Sequence, residues 1–413
     1  MGSFTIGSAT TEWPAFWQVR DYLVKYSGIV AMILMSLTVI LSVRHWPLEN
    51  WLRGLDQQYR LHKYLGISSA FMMLLHWLVF MSDDFAMDMG LIAAKAETFP
   101  FWALIDPLTD AAQFIGEWGF YLAAAFVLIA WIKFFPHRVF QLTHQLFPYL
   151  YLLLVLHMAM FFDTELWLSL PGIVLAITVA LATAGCLLTI LGLNGKKNTH
   201  LAEITNFQTI NNGVEVTVQS DGFSYQPGQF ALVTFDDKEG AHPFSLASPD
   251  SLDNQIRFLI KASGDYTKTL AESLQVGQSI EIEGPYGHFN FNDNAQQHIW
   301  IAGGIGIAPF LTAIETIGSG KKVDLFYSYR ESDERLLQEL KDRAAQSGVQ
   351  LHLIDTNSMP RLRDQVVLES VKNISDCSVW YCGPLGLGEH FERGFRQAKL
   401  PVGRFHRELF NFR

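Results

Sequence analysis

Residues 62–82 read HKYLGISSAFMMLLHWLVFMS, and from Tyr64 to Ser82 they contain no Asp, Glu, Lys or Arg. A helix crossing about 30 Å of hydrocarbon needs roughly 20 mostly apolar residues, so this stretch reads as a membrane span. It carries His76 inside and has His62 at its edge. Tyr26–Val43, Val139–Phe162 and Leu166–Gly195 are equally free of those four residue types. Trp118–Ile132 is shorter, but Gly116 upstream and Phe134 and Phe135 beyond Lys133 extend it. We read five spans, near 24–43, 60–82, 116–135, 139–162 and 166–193.

Charge divides the chain in two. Residues 1–195 carry 9 Lys+Arg and 13 Asp+Glu, which leaves 21 and 27 for the other 218 positions, the totals being 30 and 40 in 413 residues. Half of all residues are apolar, which excludes disordered and collagen-like classes. The net charge of −10 offers no basic surface to nucleic acid. Cys186, Cys377 and Cys382 are too few for a disulfide framework and form no CxxC pair, so redox chemistry would belong to bound cofactors. Arg44, Arg53, Arg60 and Lys63 follow span one, Lys133 and Arg138 follow span three, and Lys196 and Lys197 follow span five. The loop from Asp83 to Glu117 holds seven acids against Lys95 alone. Basic loops face the cytoplasm, which puts the N-terminus outside and the C-terminal half inside. Residues 1–23 lack a secretory pattern, and Ile6 breaks a myristoylation signal; Trp13, Phe16 and Trp17 read as an interfacial anchor, an unstructured end being the alternative.

Ionisable side chains within a membrane are costly and usually functional. Span two carries His62 and His76, span four His144 and His157, at separations of 14 and 13 residues, or about 20 Å along a helix. Spans two and four run in the same direction, so His62 lies level with His144 and His76 with His157. A lone histidine here is most often an interhelical hydrogen bond or a proton relay. Two matched pairs suit two haem irons, each with two axial nitrogens, whereas zinc needs three or four ligands at one point. Fourteen residues keep His62 and His76 on one face, but thirteen rotate His144 and His157 about 140° apart, with Pro148 between them.

From Leu201 the pattern becomes short alternating strands with Gly, Pro and Asn turns, a small antiparallel barrel. From Ile299 strands alternate with helical stretches, an α/β parallel sheet. The chain therefore divides into an N-terminal segment 1–23, a membrane helical bundle 24–197, a barrel 198–296 and a nucleotide-binding unit 297–413. In the barrel, His242-Pro243-Phe244-Ser245 gives an extended strand beside a flat ring, with Ser245 offering a hydroxyl to the ring edge. Lys261-Ala-Ser-Gly264-Asp-Tyr-Thr267 supplies amides and a hydroxyl for a diphosphate; FAD has both parts. Ile299–Ala302 runs into Gly303-Gly304-Ile-Gly306-Ile-Ala-Pro309 and then a helical stretch, a glycine turn that sets a helix N-terminus against a phosphate. Arg330 at the next strand end favours the 2′-phosphate of NADPH, and Glu331 keeps NADH open. Cys382 and Gly383 stand at a third strand end, and Glu408-Leu-Phe410-Asn-Phe412-Arg413 closes the chain.

Histidine pairs in membrane helices followed by HPFS, GDYT, GGIGIAP, YCGP and a terminal E-x-F resemble the NADPH oxidase and ferric reductase superfamily, particularly its compact bacterial members. The resemblance covers residues 24–413. It implies that His62 and His144 ligate an inner b-type haem and His76 and His157 an outer one. It further implies that His242, Pro243, Phe244, Ser245 and Thr267 contact FAD, and that Gly303, Gly304, Gly306 and Arg330 contact the dinucleotide. Cys382 would lie by the nicotinamide, and Phe410 would stack on the flavin, Phe412 being its rival. The family usually has six spans and this chain shows five, the most N-terminal one being absent. No regulatory extension is visible, so activity without a partner protein is expected. The implied activity is electron transfer from NADPH through FAD and two haems to an outside acceptor, O2 giving superoxide. A ferric chelate or a dedicated extracytoplasmic protein is the alternative acceptor. Lys25 reads either as a haem-propionate partner or as a lysine snorkelling to the headgroups.

Overall fold

The computed structural model describes residues 14–44, 46–90, 106–132, 134–135, 137–162, 164–236, 240–248, 254–317, 321–331 and 333–408. Trp13, Lys95, Lys133, Phe410 and Phe412 lie outside the described residues. Two compact units are formed: the membrane helices as far as Asn194, and the chain from Gly195 onward together with the short stretch Glu49–Gln57.

The chain up to Asn194 forms α1 (Pro14–Ile40), α2 (Trp46–Leu52), α3 (Leu55–Phe80), α4 (Ser82–Asp88), α5 (Asp106–Trp131), α6 (His137–Phe161) and α7 (Leu170–Ile190), of which most of α2 and the first residues of α3 belong to the second unit. Among the described residues, five helical stretches are long and apolar enough to cross a membrane: α1, α3 with α4, α5, α6 and α7. Their outward faces expose Phe71, Leu78, Tyr149, Leu156 and Leu181, a dense apolar surface that suits lipid and not water. Inside, Met32, Tyr151, Leu175, Ala182 and Cys186 pack together. Helix α5 begins ten residues ahead of the apolar run that marks it in the sequence. Pro107 fits a helix's first turn, and Asp110 and Glu117 stay on its exposed side, so the helix extends past its hydrocarbon-matching segment. Helix α1 likewise starts at Pro14, ahead of the span read from the sequence. Ser169 caps α7 by accepting the Gly172 N–H at 3.2 Å.

In the second unit, β1 (Thr199–Ile210), β2 (Gly213–Gln219), β3 (Phe230–Thr234), β4 (His242–Ser245), β5 (Gln255–Lys261) and β6 (Ser279–Tyr286) form a sheet in the order β4-β3-β6-β1-β2-β5. All its strand pairs are antiparallel. A bridge between Leu246 and Phe258 joins the two edges, closing the sheet into a barrel around Val216, Phe258, Ile260 and Ile282. Helix α8 (Asp265–Ser273) covers one end.

The chain then forms β7 (Gln297–Gly303), α9 (Ala308–Thr316), β8 (Lys322–Tyr329), α10 (Glu334–Ser347), β9 (Gln350–Asp355), α11 (Asp364–Leu368), β10 (Cys377–Cys382), α12 (Leu385–Gln397) and β11 (Phe405–Arg407). These strands are parallel in the order β11-β10-β7-β8-β9. Strands β7, β10 and β8 are buried on both faces, hence their continuous apolar runs in place of alternation. The chain turns one way from β7 to β9 and the other way through β10 and β11, so the switch point lies between the C-terminal ends of β7 and β10. Ligands of open α/β sheets bind at that place.

Barrel and parallel sheet share one hydrophobic cluster, in which Phe289 packs on Trp380 at 5.2 Å and Phe291 on Trp300 at 4.8 Å between ring centroids. Two bidentate arginine pairs fasten α10 to the barrel: Arg257 donates to Glu339 at 3.0 and 2.8 Å, and Arg335 to Glu215 at 3.3 and 2.7 Å.

Candidate functional site

The rings of His62 and His144 lie 5.9 Å apart between centroids. Two metal–nitrogen bonds of about 2 Å, plus about 1 Å from each nitrogen to its ring centre, give roughly 6 Å for two imidazoles on one metal. Three of the four rings are oriented by a backbone carbonyl. His62 Nδ1 lies 2.8 Å from the Thr38 oxygen, His76 Nδ1 3.0 Å from the Val24 oxygen, and His157 Nδ1 2.8 Å from the Ala112 oxygen. A carbonyl only accepts, so in each case Nδ1 carries the proton and Nε2 keeps its lone pair. That is the tautomer of a metal-ligating histidine. His144 is instead flanked by Phe140 at 5.0 Å and Phe147 at 5.3 Å.

The acceptors have a physical origin. Thr38 sits in the last turn of α1, where carbonyls lack intrahelical donors, and His62 supplies one. Among the described residues no group of three or more His, Cys, Asp or Glu side chains has the geometry to hold a metal ion. The donor set, the 5.9 Å spacing of the His62 and His144 rings and the tautomers of His62, His76 and His157 fit bis-histidine haem.

At the switch point three glycines bring two turns together. A Cβ on Gly303 would lie 2.7 Å from Pro384 Cδ, and one on Gly306 would meet the Cys382 carbonyl carbon at 2.6 Å and the Gly383 nitrogen at 2.9 Å. Gly383 itself is at φ +158° against the Gly303 backbone. Gly304, at φ +57° with nothing within 4 Å of its Cβ position, leaves its backbone approachable. A cavity of about 300 Å³ beside this turn is lined by Gly304, Arg330, Glu331, Asn211, Asn212 and Lys261. Lys261, expected with the flavin motif, lines this cavity together with Gly304 and Arg330. The two asparagines, from the β1–β2 turn, were not anticipated.

Strand β4 holds His242, Pro243 and Phe244 half-buried and Ser245 buried. His242 stacks on Tyr266 at 4.9 Å with planes 18° apart, an aromatic shelf that the sequence did not reveal. Thr267 Oγ1 accepts the amides of Ser263 and Gly264 at 3.1 and 3.0 Å. Its hydroxyl thus shapes the loop at the start of α8, whose first-turn amides have no intrahelical acceptor and suit a phosphate.

Where β11 ends, Glu408 is buried, and a Cβ on Gly287 would lie 3.4 Å from its Oε1. Burial and the nearby Asp56 push the Glu408 carboxyl well above the carboxylate range, while the Ser245 hydroxyl opposes the shift without reaching full hydrogen-bond geometry. Burial, with Glu408 adding to it, also raises the Cys382 thiol, keeping it neutral. Ser245, Cys382 and Glu408 are all buried. Beside Gly287, Glu49 Oε1 accepts the Gly287 N–H at 3.0 Å.

The described family for residues 27–155 is the ferric reductase like transmembrane component, and residues 197–290 match an FAD-binding domain. NADH-cytochrome b5 reductase 1 of Pyricularia oryzae is 30% identical over 200 residues, 42% of this chain and 64% of that protein. The reductase component of propane 2-monooxygenase from Mycolicibacterium goodii is 32% identical over 119 residues, 27% of this chain and 34% of that protein. The chain thus spans between a third and two thirds of these relatives. Among solved structures, flavohemoglobin from Malassezia yamatoensis matches with a TM-score of 0.50 at 15% identity, covering 96% of this chain and 98% of that one, a likeness of fold alone. With a match to a ferric-reductase-type membrane component followed by a match to an FAD-binding domain, and with apolar helices in the first, the chain has the domain architecture of the NADPH oxidase and ferric reductase superfamily.

Proposed function

We propose that this protein moves electrons from cytoplasmic NADPH, through FAD and two b-type haems, to oxygen outside the membrane, giving superoxide. In this reading His62 and His144 hold the inner haem, His76 and His157 the outer one, the N-terminus is outside, and no activating partner is needed. The observation that carries it is the tautomer set: three intramembrane histidines each have Nδ1–H committed to a carbonyl and Nε2 left to bind iron. FAD supplies the exchange between two-electron hydride and single electrons, and haem the single-electron path.

The chain's own residues do the rest. Gly303, Gly304 and Gly306 admit the dinucleotide backbone, while Lys261 and Arg330 present cations to its phosphates, Arg330 favouring NADPH over NADH. His242, Pro243 and Phe244 line one side of the flavin, and α8 receives its diphosphate. Cys382 packs against the nicotinamide as a neutral thiol. Glu408, held protonated, and the Ser245 hydroxyl place a mobile proton at the flavin edge. With two histidines on each iron, oxygen would collect its electron at the haem edge and not as an iron ligand. NADPH-driven cytochrome c reduction that superoxide dismutase abolishes supports this reading. Ferric-chelate reduction without oxygen at an equal or greater rate would favour the ferric reductase alternative. Haems that NADPH reduces but neither oxygen nor iron reoxidises would point to a dedicated partner protein.

A further inference from the structure

We infer that Gly28 and Gly116 are positioning residues for the outer haem pair, acting through the carbonyls they uncover. This rests on the bis-histidine reading above. In a helix each side chain tilts toward the N-terminus, so the residue at i+4 lies over the carbonyl of residue i. The two carbonyls that orient the outer histidines are those of Val24 and Ala112, and the residues four positions on are Gly28 and Gly116. The coincidence occurs on two different helices, α1 and α5.

The space confirms the role. A Cβ on Gly28 would lie 3.1 Å from His76 Cε1 and 3.3 Å from its Nδ1. A Cβ on Gly116 would overlap His157 Cε1 and Nδ1 outright and come within 2.9 Å of its Nε2. Both imidazoles therefore occupy the volume that any side chain at these positions would claim. Ser27 adds a second polar contact at His76, its Oγ 3.2 Å from Nδ1. The inner pair is built differently: His62 takes a helix-end carbonyl, and Gly66, on its own helix, faces only Thr38 at 3.6 Å. Glycine at these two positions is therefore a requirement of the outer site alone.

The clearances set a ranking. Gly116→Ala must displace His157 or part α5 from α6, whereas Gly28→Ala asks a shift of a few tenths of an ångström. Gly119→Ala is the control, because the atom it would meet at 2.8 Å is Leu154 Cδ2, the end of a flexible side chain. The test is haem and FAD content, the low-spin ferric signal of each haem and the midpoint potential of each, measured on the full-length protein.

Gly116→Ala is expected to lose the outer haem, halving haem per FAD while the inner signal persists. Gly28→Ala is expected to keep both haems but alter the outer signal and potential, and Gly119→Ala to match the parent. Should Gly116→Ala lose both haems, Gly28→Ala decides. An outer signal and potential unmoved in Gly28→Ala, or two normal haems in Gly116→Ala, would overturn the inference. Absence of haem from the parent protein would instead remove the reading on which it rests.

Discussion

The Gly306→Ala variant probes the nucleotide crevice with little else disturbed. Its added carbon would meet the Cys382 carbonyl carbon at 2.6 Å and the Gly383 nitrogen at 2.9 Å, both backbone atoms in the centre of the sheet. Ordinary carbon contacts are about 3.5–4.0 Å, so β10 and the glycine turn must part by about 1 Å. Overpacking of this kind costs about 1–3 kcal/mol, and a 1 Å misplacement of a reacting group costs roughly 100-fold in rate. We expect kcat/KM for NADPH-driven flavin reduction to fall about 100-fold, near 3 kcal/mol in transition-state terms. Stopped-flow bleaching of the flavin under anaerobic conditions measures it. FAD content, haem content and reduction by dithionite should be unchanged, since those sites lie on other elements. Unaltered flavin reduction by NADPH would refute the placement of the dinucleotide at the switch point; a parallel loss of FAD would show that the damage is not local.

Other expectations concern charge. Asp293 is a hub, with His298 Nε2 at 3.2 Å, His406 Nε2 at 3.5 Å and Arg404 Nη1 at 3.6 Å. Burial alone would raise its carboxyl, but His298, His406, the Ala295 amide and Ser378 outweigh that and hold it well below its ordinary 3.8. Its stabilisation is thus present above about 3.8 and lost as pH falls through the folded value, so Asp293→Asn should cost about 3–5 kcal/mol at neutral pH in urea unfolding and flatten the acid limb. Glu408 has the opposite sign. Its folded value is raised, so its contribution is fully present below about 4.5 and lost as pH rises from there through the folded value; Glu408→Gln should gain in Tm over the parent progressively toward alkaline pH. Arg330→Ala should raise the KM for NADPH about 10- to 100-fold, the worth of one charged hydrogen bond, and leave that for NADH nearly unchanged in steady-state assays.

The sequence displays some of this architecture plainly. Spans are legible because bilayer thickness forces long uncharged runs, and the switch-point turn because Gly303, Gly306 and Gly383 each answer a close backbone approach. Periodicity suggested that His144 and His157 diverge by about 140°. The structure accommodates this by giving them different surroundings, Phe140 and Phe147 for one and α5 for the other. Contacts that depend on which helix lies beside which were not legible. Gly116 read merely as part of an apolar run, and only the approach of α6 to α5 gives it meaning. Likewise nothing local to Glu49 announces its bond to Gly287, 238 positions away. Lys261 read with the flavin loop because of its neighbours in sequence, whereas strand β5 sets it in the cavity beside Gly304 and Arg330. A glycine four residues after a small or apolar residue, level with a span histidine, is the pattern that would have exposed the outer site.

The central claim is a two-haem path across the membrane, and an anaerobic NADPH titration of the purified protein followed by visible absorption tests it most directly. We predict two low-spin, bis-histidine haems per FAD, both reduced by NADPH, with His76→Ala and His157→Ala each removing one haem and leaving flavin reduction intact. A protein that carries no haem when made with ample supply, or haem spectra unchanged in both variants, would contradict the account.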